Sequence, residues 1–316
     1  MLQHLIKRLL VTLPVFFFIS ILIFGSVRVI PGDVCRVVLQ GRPSVTEEQC
    51  NEVNRKLGVD RPVVSQYLSW VGNILQGDFG KSIISQRSVT QEIGSRLSVT
   101  LELTLLSCAF SLLLAIPIGM VSAFYQNRFQ DYFLRVVTIC WLSMPGFWVG
   151  TMLIIFPARW WGYGPPLVYA DIWEDPLKNL EQLIPPSIAL GLALTGSLAR
   201  LTRSSLLEVL RQNYIWTARA KGLSGRAVLT RHALKNALLP VITLFGVQVG
   251  GVLGGAVIIE SIFSLPGLGT LLVNSVTFKD YPQIQGIVLF FALLIVVINF
   301  FVDLAYLVLD PRIRFT

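Results

Sequence analysis

The chain has 316 residues, of which 53% are hydrophobic and only 14% charged, with a mean hydropathy of +0.67. That apolar content is high for a soluble domain, and the apolar residues are gathered in long blocks, which places the chain among integral membrane proteins. The formal charge of +8 would suit nucleic acid, but the basic residues flank apolar runs, so they read as a topology signal and no nucleic-acid partner is expected.

An apolar run of about 20 residues crosses the hydrocarbon core of a bilayer. Six are predicted in chain order: Leu9–Ile30, Val99–Phe124, Tyr132–Phe156, Leu183–Leu201, Val241–Phe263 and Ile284–Leu309. The first follows Lys7 and Arg8, but it is too long for a signal-peptide core and "RVIPGD" offers no small-x-small cleavage site, so it is kept as a span. Bilayer interiors satisfy no backbone polar groups, and runs of this length exclude strands, so the fold class is an all-α integral membrane bundle.

Short-loop cations set the orientation. Lys7, Arg8, Arg128, Arg312, Arg314 and the cluster in 200–237 fall on one side, while Arg159, Lys178 and Lys279 are the few on the other. Both termini and the loop at about 205–239 are therefore expected in the cytoplasm. Residues 1–30 form the first span, 31–97 a long extracytoplasmic segment, and 98–316 a core of five spans. Cys35 and Cys50 share the outer segment; facing an oxidising compartment they would close a loop of roughly 15 residues, and two free thiols are the alternative.

The spans hold few polar features. Gly246, Gly250, Gly251, Gly254 and Gly255 give overlapping small-xxx-small pairs, read either as packing within the chain or as a face toward a second subunit or a translocation path. Pro117 and Pro145 fall inside spans and tend to kink helices. Glu102 and Asp303 are the main intramembrane carboxylates and functional candidates by type, with no evident sequence partner; Arg28 and Glu260 lie near outer ends, where they would snorkel. No ladder of titratable groups suggests a proton relay, which weakens a secondary-transporter reading.

Catalytic chemistry is not expected. "QGDFGKS" at 76–82 imitates the end of a phosphate loop, but Leu75 stands where the first glycine is required. With two distant histidines and no Cys/His cluster, a metal site is not expected, and no nucleophile motif is found.

The segment "WTARAKGLSGRAVLTRHALKNALLP" at 216–240 combines a helix-compatible piece, Gly222 placed as a C-terminal cap or turn, a second basic, helix-compatible piece, and Pro240 in the first turn of the next helix. Its cations suit either an acidic partner surface or lipid headgroups. The segment resembles the signature cytoplasmic loop of ABC-importer permeases. Trp216-Thr217-Ala218 stands in place of Glu-Ala-Ala, and Leu239-Pro240 closes the motif eighteen positions after Gly222, a longer spacing that is similar to the dipeptide/oligopeptide/nickel branch. "VRVIPGD", "GDFGKSIISQRSVTQEIGSRLSVTLEL", "LTRSSLLEVLRQNYI", "ESIFSLPGLGTLLVNSV", "KDYPQIQG" and "VDLAYLVLDPRIR" extend the resemblance along the whole chain.

The resemblance implies the six-span type I importer permease fold in a bacterial inner membrane, in the subunit with the long outer loop (the dipeptide permease B type). It implies a heterodimer with a second homologous permease, two ATP-binding subunits carrying ATP and Mg, and a periplasmic or lipoprotein substrate-binding protein; no cofactor is expected on this chain. Ala218, Arg219, Ala220, Lys221 and Gly222 match the coupling-helix position, with Gly246, Gly250, Gly254 and Glu102 as candidates for the path or subunit interface. Peptide uptake by alternating access is the implied function, with nickel-complex, glutathione or sugar import as alternatives within the family, and an ATP-independent secondary transporter outside it.

Overall fold

The computed structural model describes residues 2–29, 48, 50, 51, 55, 61–164, 166 and 168–309. Ten helices frame them: α1 (Leu2–Val29), α2 (Val63–Leu75), α3 (Val89–Phe124), α4 (Phe129–Ser143), α5 (Gly146–Trp161), α6 (Pro176–Val209), α7 (Asn213–Ala220), α8 (Leu234–Ile262), α9 (Leu268–Thr277) and α10 (Tyr281–Leu309). Among the described residues the only β-type pairing is an isolated bridge between Lys81 and Ser88. Four helical stretches are long and apolar enough to cross a bilayer: α3, α6, Gly225–Ile262 and Tyr281–Val302. The pair α4 and α5 adds a fifth if counted as one span, and α1 carries a shorter apolar stretch, Pro14–Arg28.

The chain divides into two compact units. The first comprises Met1–Ser98 with Pro266–Val296. Here Val89 and Ile93 are buried with Leu268, Leu271 and Ile287, which explains why α3 begins ten residues before the apolar run at Val99. Phe24 meets Tyr67 and Trp70 of α2 edge-on or tilted. Arg28 does not simply snorkel: it donates to Gln66, and its guanidinium lies 3.5 Å from the centroid of the Phe24 ring.

The imitation phosphate loop also lies in this unit. Gly80 adopts φ +84, Val89 N–H donates back to the Gly80 carbonyl, and the Asp280 carboxylate accepts from Ser82 Oγ and the Ile83 N–H. Asp280 is buried and sits immediately before α10, so it fastens the 82–84 turn to that helix start. "GDFGKS" is thus a hydrogen-bonded structural turn.

The second unit comprises Val99–Leu265 with Val297–Thr316. Its centre is α6: 61% of its apolar window is buried, against 33%, 28% and 22% for the other three spanning stretches. Close approach depends on small residues, because a Cβ on Gly191 would lie 2.8 Å from the Ser107 carbonyl of α3, and one on Gly196 2.8 Å from the Thr138 carbonyl of α4. Leu103, Leu183 and Ile259 form one buried cluster, Leu194, Leu198 and Val241 another.

Three expectations require correction. The predicted third span, Tyr132–Phe156, is not one helix; it stops at Ser143 and resumes at Gly146 with a bend of 100°. Pro145 has no N–H to continue α4 and forces Met144 into an extended conformation (φ −83, ψ 125). Pro117, by contrast, is carried inside α3. Pro240 lies in the interior of α8, because helical geometry already resumes at Gly225 and passes through a π-helical turn, Val228–Ala233, before α8. Glu260 does not snorkel: it is fully buried and accepts from Thr100 Oγ1 at 2.6 Å.

Candidate functional site

The segment joining α6 to α8 folds into the short helix α7 and a turn. Ile215 and Ala218, three residues apart, share one face and are buried with Ala123, Leu206, Val228, Leu229, Ala233 and Ala237. Trp216, Thr217, Arg219, Ala220 and Lys221 are exposed. Arg219 reaches over Trp216, 5.8 Å from the ring centroid, and Asn236 Nδ2 donates to Tyr214 Oη at 2.9 Å.

The helix ends in a Schellman turn. Gly222 takes φ +83, its N–H bonds the Arg219 carbonyl at 2.9 Å, and Leu223 N–H bonds the Ala218 carbonyl at 3.4 Å. Left-handed φ favours glycine because a Cβ would crowd the backbone. Ser224 then caps the next helical turn by accepting from Ala227 N–H. Of the five residues assigned to a coupling contact, Arg219, Ala220, Lys221 and Gly222 face outward, whereas Ala218 is 7% exposed and faces the fold.

Beneath α7 the ends of α3, α4 and α6 are clamped together. Asp131, in the first turn of α4 and 0% exposed, receives Arg203 Nε at 2.7 Å and Nη2 at 2.8 Å, Ser122 Oγ at 2.5 Å and Asn127 N–H at 3.0 Å. Four donors saturate the carboxylate, and the bidentate fork fixes the angle between α4 and α6. Arg203 entered the sequence argument only as one of the cytoplasmic cations. Its partner lies 72 positions away, and helical spacing does not reveal such a pair.

At the opposite end of α6, Glu102 gains the partners its sequence context withheld. Tyr169 Oη donates to Glu102 Oε2 at 2.8 Å and Asn179 Nδ2 at 3.0 Å. Gln182 holds the same loop by accepting from Ala170 N–H and donating to the Val168 carbonyl. Burial, and then the Glu102 carboxylate, push the Tyr169 phenol well above its ordinary range. Glu102 therefore ties the segment before α6 to α3.

The glycines of α8 separate by face. A Cβ on Gly246 would fall 2.0 Å from Val302 Cγ1, and one on Gly255 2.8 Å from Leu190 Cδ1, so these two serve packing within the chain. Gly251 and Gly254 have nothing within 4 Å of such a Cβ and share an exposed face with Val247 and Ile258; Gly250 is half-buried. Cys108 and Cys140 are free thiols. Cys35 and the Asp303 side chain lie outside the described residues, and with Cys35 the predicted Cys35–Cys50 pairing.

A helical bundle around a buried α6, with a short amphipathic helix packed on its clamped end, defines a multi-pass integral membrane protein. Residues 115–315 match the family described as the binding-protein-dependent transport system inner membrane component, and residues 1–104 match the N-terminal membrane component of such systems. The chain belongs to that family. It is a multi-pass inner-membrane permease subunit of an ABC importer and not an enzyme.

The chain is 39% identical over 315 residues to the glutathione transport system permease protein GsiC of Escherichia coli (strain K12), and 38% identical to that of Shigella boydii serotype 4 (strain Sb227), covering 100% of both chains in each case. Two solved structures share the fold. The inward-facing MetNI methionine ABC transporter matches with TM-score 0.55 at 16% identity, over 70% of this chain and 97% of that one. An amino acid ABC transporter with histidines matches with TM-score 0.52 at 15% identity, over 71% and 95%.

Proposed function

We propose that this chain is the permease subunit through which an ATP-driven importer takes up short peptides, glutathione among them, across the bacterial inner membrane. It pairs with a second homologous permease. Two ATP-binding subunits, which carry ATP and Mg, drive it from the cytoplasm, and a periplasmic or lipoprotein binding protein supplies the solute. The full-length identity to glutathione permeases supports the substrate class.

The observation that carries the mechanism is the outward face of α7. Its inner face is anchored by Ile215 and Ala218, so that Arg219, Ala220, Lys221 and Gly222 form a fixed cationic projection. ATP-dependent closure of the ATPase pair pushes on that projection, and the clamped ends of α3, α4 and α6 carry the displacement into the bundle. The resulting shift between two states gives alternating access.

Affinity purification of the tagged chain from its native membranes is expected to bring down subunits with Walker motifs. The reconstituted assembly should hydrolyse ATP faster when the binding protein is loaded with glutathione or a dipeptide. Replacing the projection's cations (Arg219→Glu with Lys221→Glu) should abolish uptake while leaving ATP binding to the partner subunits intact. Uptake by the purified permease chains alone, with no ATPase present, would favour an ATP-independent transporter instead.

A further inference from the structure

A groove of about 460 Å³ opens beside α7, walled by Phe124 at the end of α3, Leu207 at the end of α6, and Trp216, with Arg128, Arg211 and Arg219 around it. Among the described residues no carboxylate lines it. Among the described residues none of the three guanidinium groups has an ion-pair partner, and Arg219 lies over the Trp216 ring. Arg203, one turn of α6 deeper than Leu207, is by contrast paired with Asp131 through Nε and Nη2.

The lining is therefore amphiphilic: aliphatic and aromatic side chains on one part, unpaired cations on the other. Phe124, in its wall, ends both α3 and the predicted span Val99–Phe124, while Leu207 and Arg211 lie past the predicted span end at Leu201, so the groove runs from the expected hydrocarbon edge toward the cytoplasmic segment. The surface next to Arg128 is apolar and outward-facing: Phe129 is 80% exposed and stacks on Phe133, which is also exposed. A free anion from solution would need the cations but not the apolar wall. A phospholipid with an anionic headgroup uses both, and basic pockets between spanning helices on the cytoplasmic side have the composition that binds such headgroups.

We propose that this groove is a binding site for an anionic phospholipid of the cytoplasmic leaflet, its phosphate held by Arg128 and Arg211, and its first acyl carbons against Phe124 and Leu207, with Arg219 left to the projection of α7. The proposal rests on the cytoplasmic placement of the 205–239 segment given above. An occupied site would brace α7 against the ends of α3 and α6, so that the leaflet's anionic lipid content tunes coupling.

The test uses the complete transporter in nanodiscs of phosphatidylcholine with or without phosphatidylglycerol or cardiolipin. Retained lipid is read by native mass spectrometry and recovery of the ATPase subunits by gel. Each near-surface cation contributes roughly fivefold to affinity for an anionic lipid surface, so Arg128→Gln with Arg211→Gln is expected to lower retained anionic lipid by about 25-fold. ATPase recovery should not change, and a Lys pair (Arg128→Lys, Arg211→Lys) should restore most of the binding.

Equal lipid retention in wild type and the Gln pair overturns the proposal. Loss of ATPase recovery in the Gln pair, with lipid unchanged, would make the groove a protein docking surface and overturns it too. Displacement of the lipid by inorganic phosphate or ATP in the buffer would assign the site to a soluble anion and also overturns it. Failure of the wild-type chain to recover any ATPase counts against the importer mechanism alone, since lipid retention is scored independently.

Discussion

Asp131 illustrates what a single carboxylate needs when an apolar bundle encloses it. Its two oxygens take four donors from two other helices and a turn, and Arg203 supplies the compensating charge. Removing one partner of such a pair leaves the other charge uncompensated at a cost of about 3–5 kcal/mol when fully buried. Arg203 keeps 20% of its side-chain surface exposed, so Asp131→Ala is expected to cost about 3 kcal/mol, the lower end of that range. A lowered melting temperature of the detergent-solubilised chain checks this. Asp131→Leu combined with Arg203→Met should recover most of the loss, because two apolar groups of similar size leave no orphaned charge. A double variant as unstable as Asp131→Ala would contradict that account. Sequence reading missed the pair because Arg203 stands among topology-setting cations and Asp131 in a short, apolar helix. Glu102 was found by its type, but its partners, Tyr169 and Asn179, come from a loop whose path only the fold determines.

At the scale of an element, α7 was largely legible. A run of helix formers followed by Gly222 predicted a short helix and a glycine turn, and the observed left-handed φ gives the reason. Gly222→Val should strain that turn by about 1–3 kcal/mol and displace the Arg219–Lys221 projection, while Gly222→Asn, which tolerates left-handed φ, should be nearly neutral. Uptake normalised to membrane abundance, with hydrogen exchange over 213–223, distinguishes a local defect from unfolding. Equal uptake by both variants would argue against a positional role for the turn. The restart after the turn was legible only in part. "GRAVLTRHALKNALL" reads as helix-compatible and is helical from Gly225, but nothing in it marks the π-helical turn or a Pro240 carried inside the helix. The glycines of α8 were read as one stripe, yet a helix distributes them around its circumference, and only neighbours such as Val302 decide which are packing positions.

For the whole molecule, five of the predicted spans reappear as helices that mostly run beyond the predicted limits, since amphipathic turns at span ends stay helical while hydropathy falls. The predicted extracytoplasmic segment 31–97 is a surface for the binding protein on the importer reading. Deleting Val34–Arg61 should weaken binding-protein affinity for the reconstituted transporter at least tenfold, about 1.4 kcal/mol, by surface plasmon resonance. Unchanged affinity would remove that role. The predicted third span is the exception, and its corner at Met144-Pro145 imposes a condition of its own. A helix that stops at Ser143 leaves its last carbonyls without helical donors, and in hydrocarbon each unmet polar group costs several kcal/mol. Met144 and Pro145 stand exposed on the chain, so this edge of the subunit has to be kept wet or covered by another polypeptide. At hydrocarbon depth acyl chains could not seal such a corner, and water or a neighbouring chain would have to fill it.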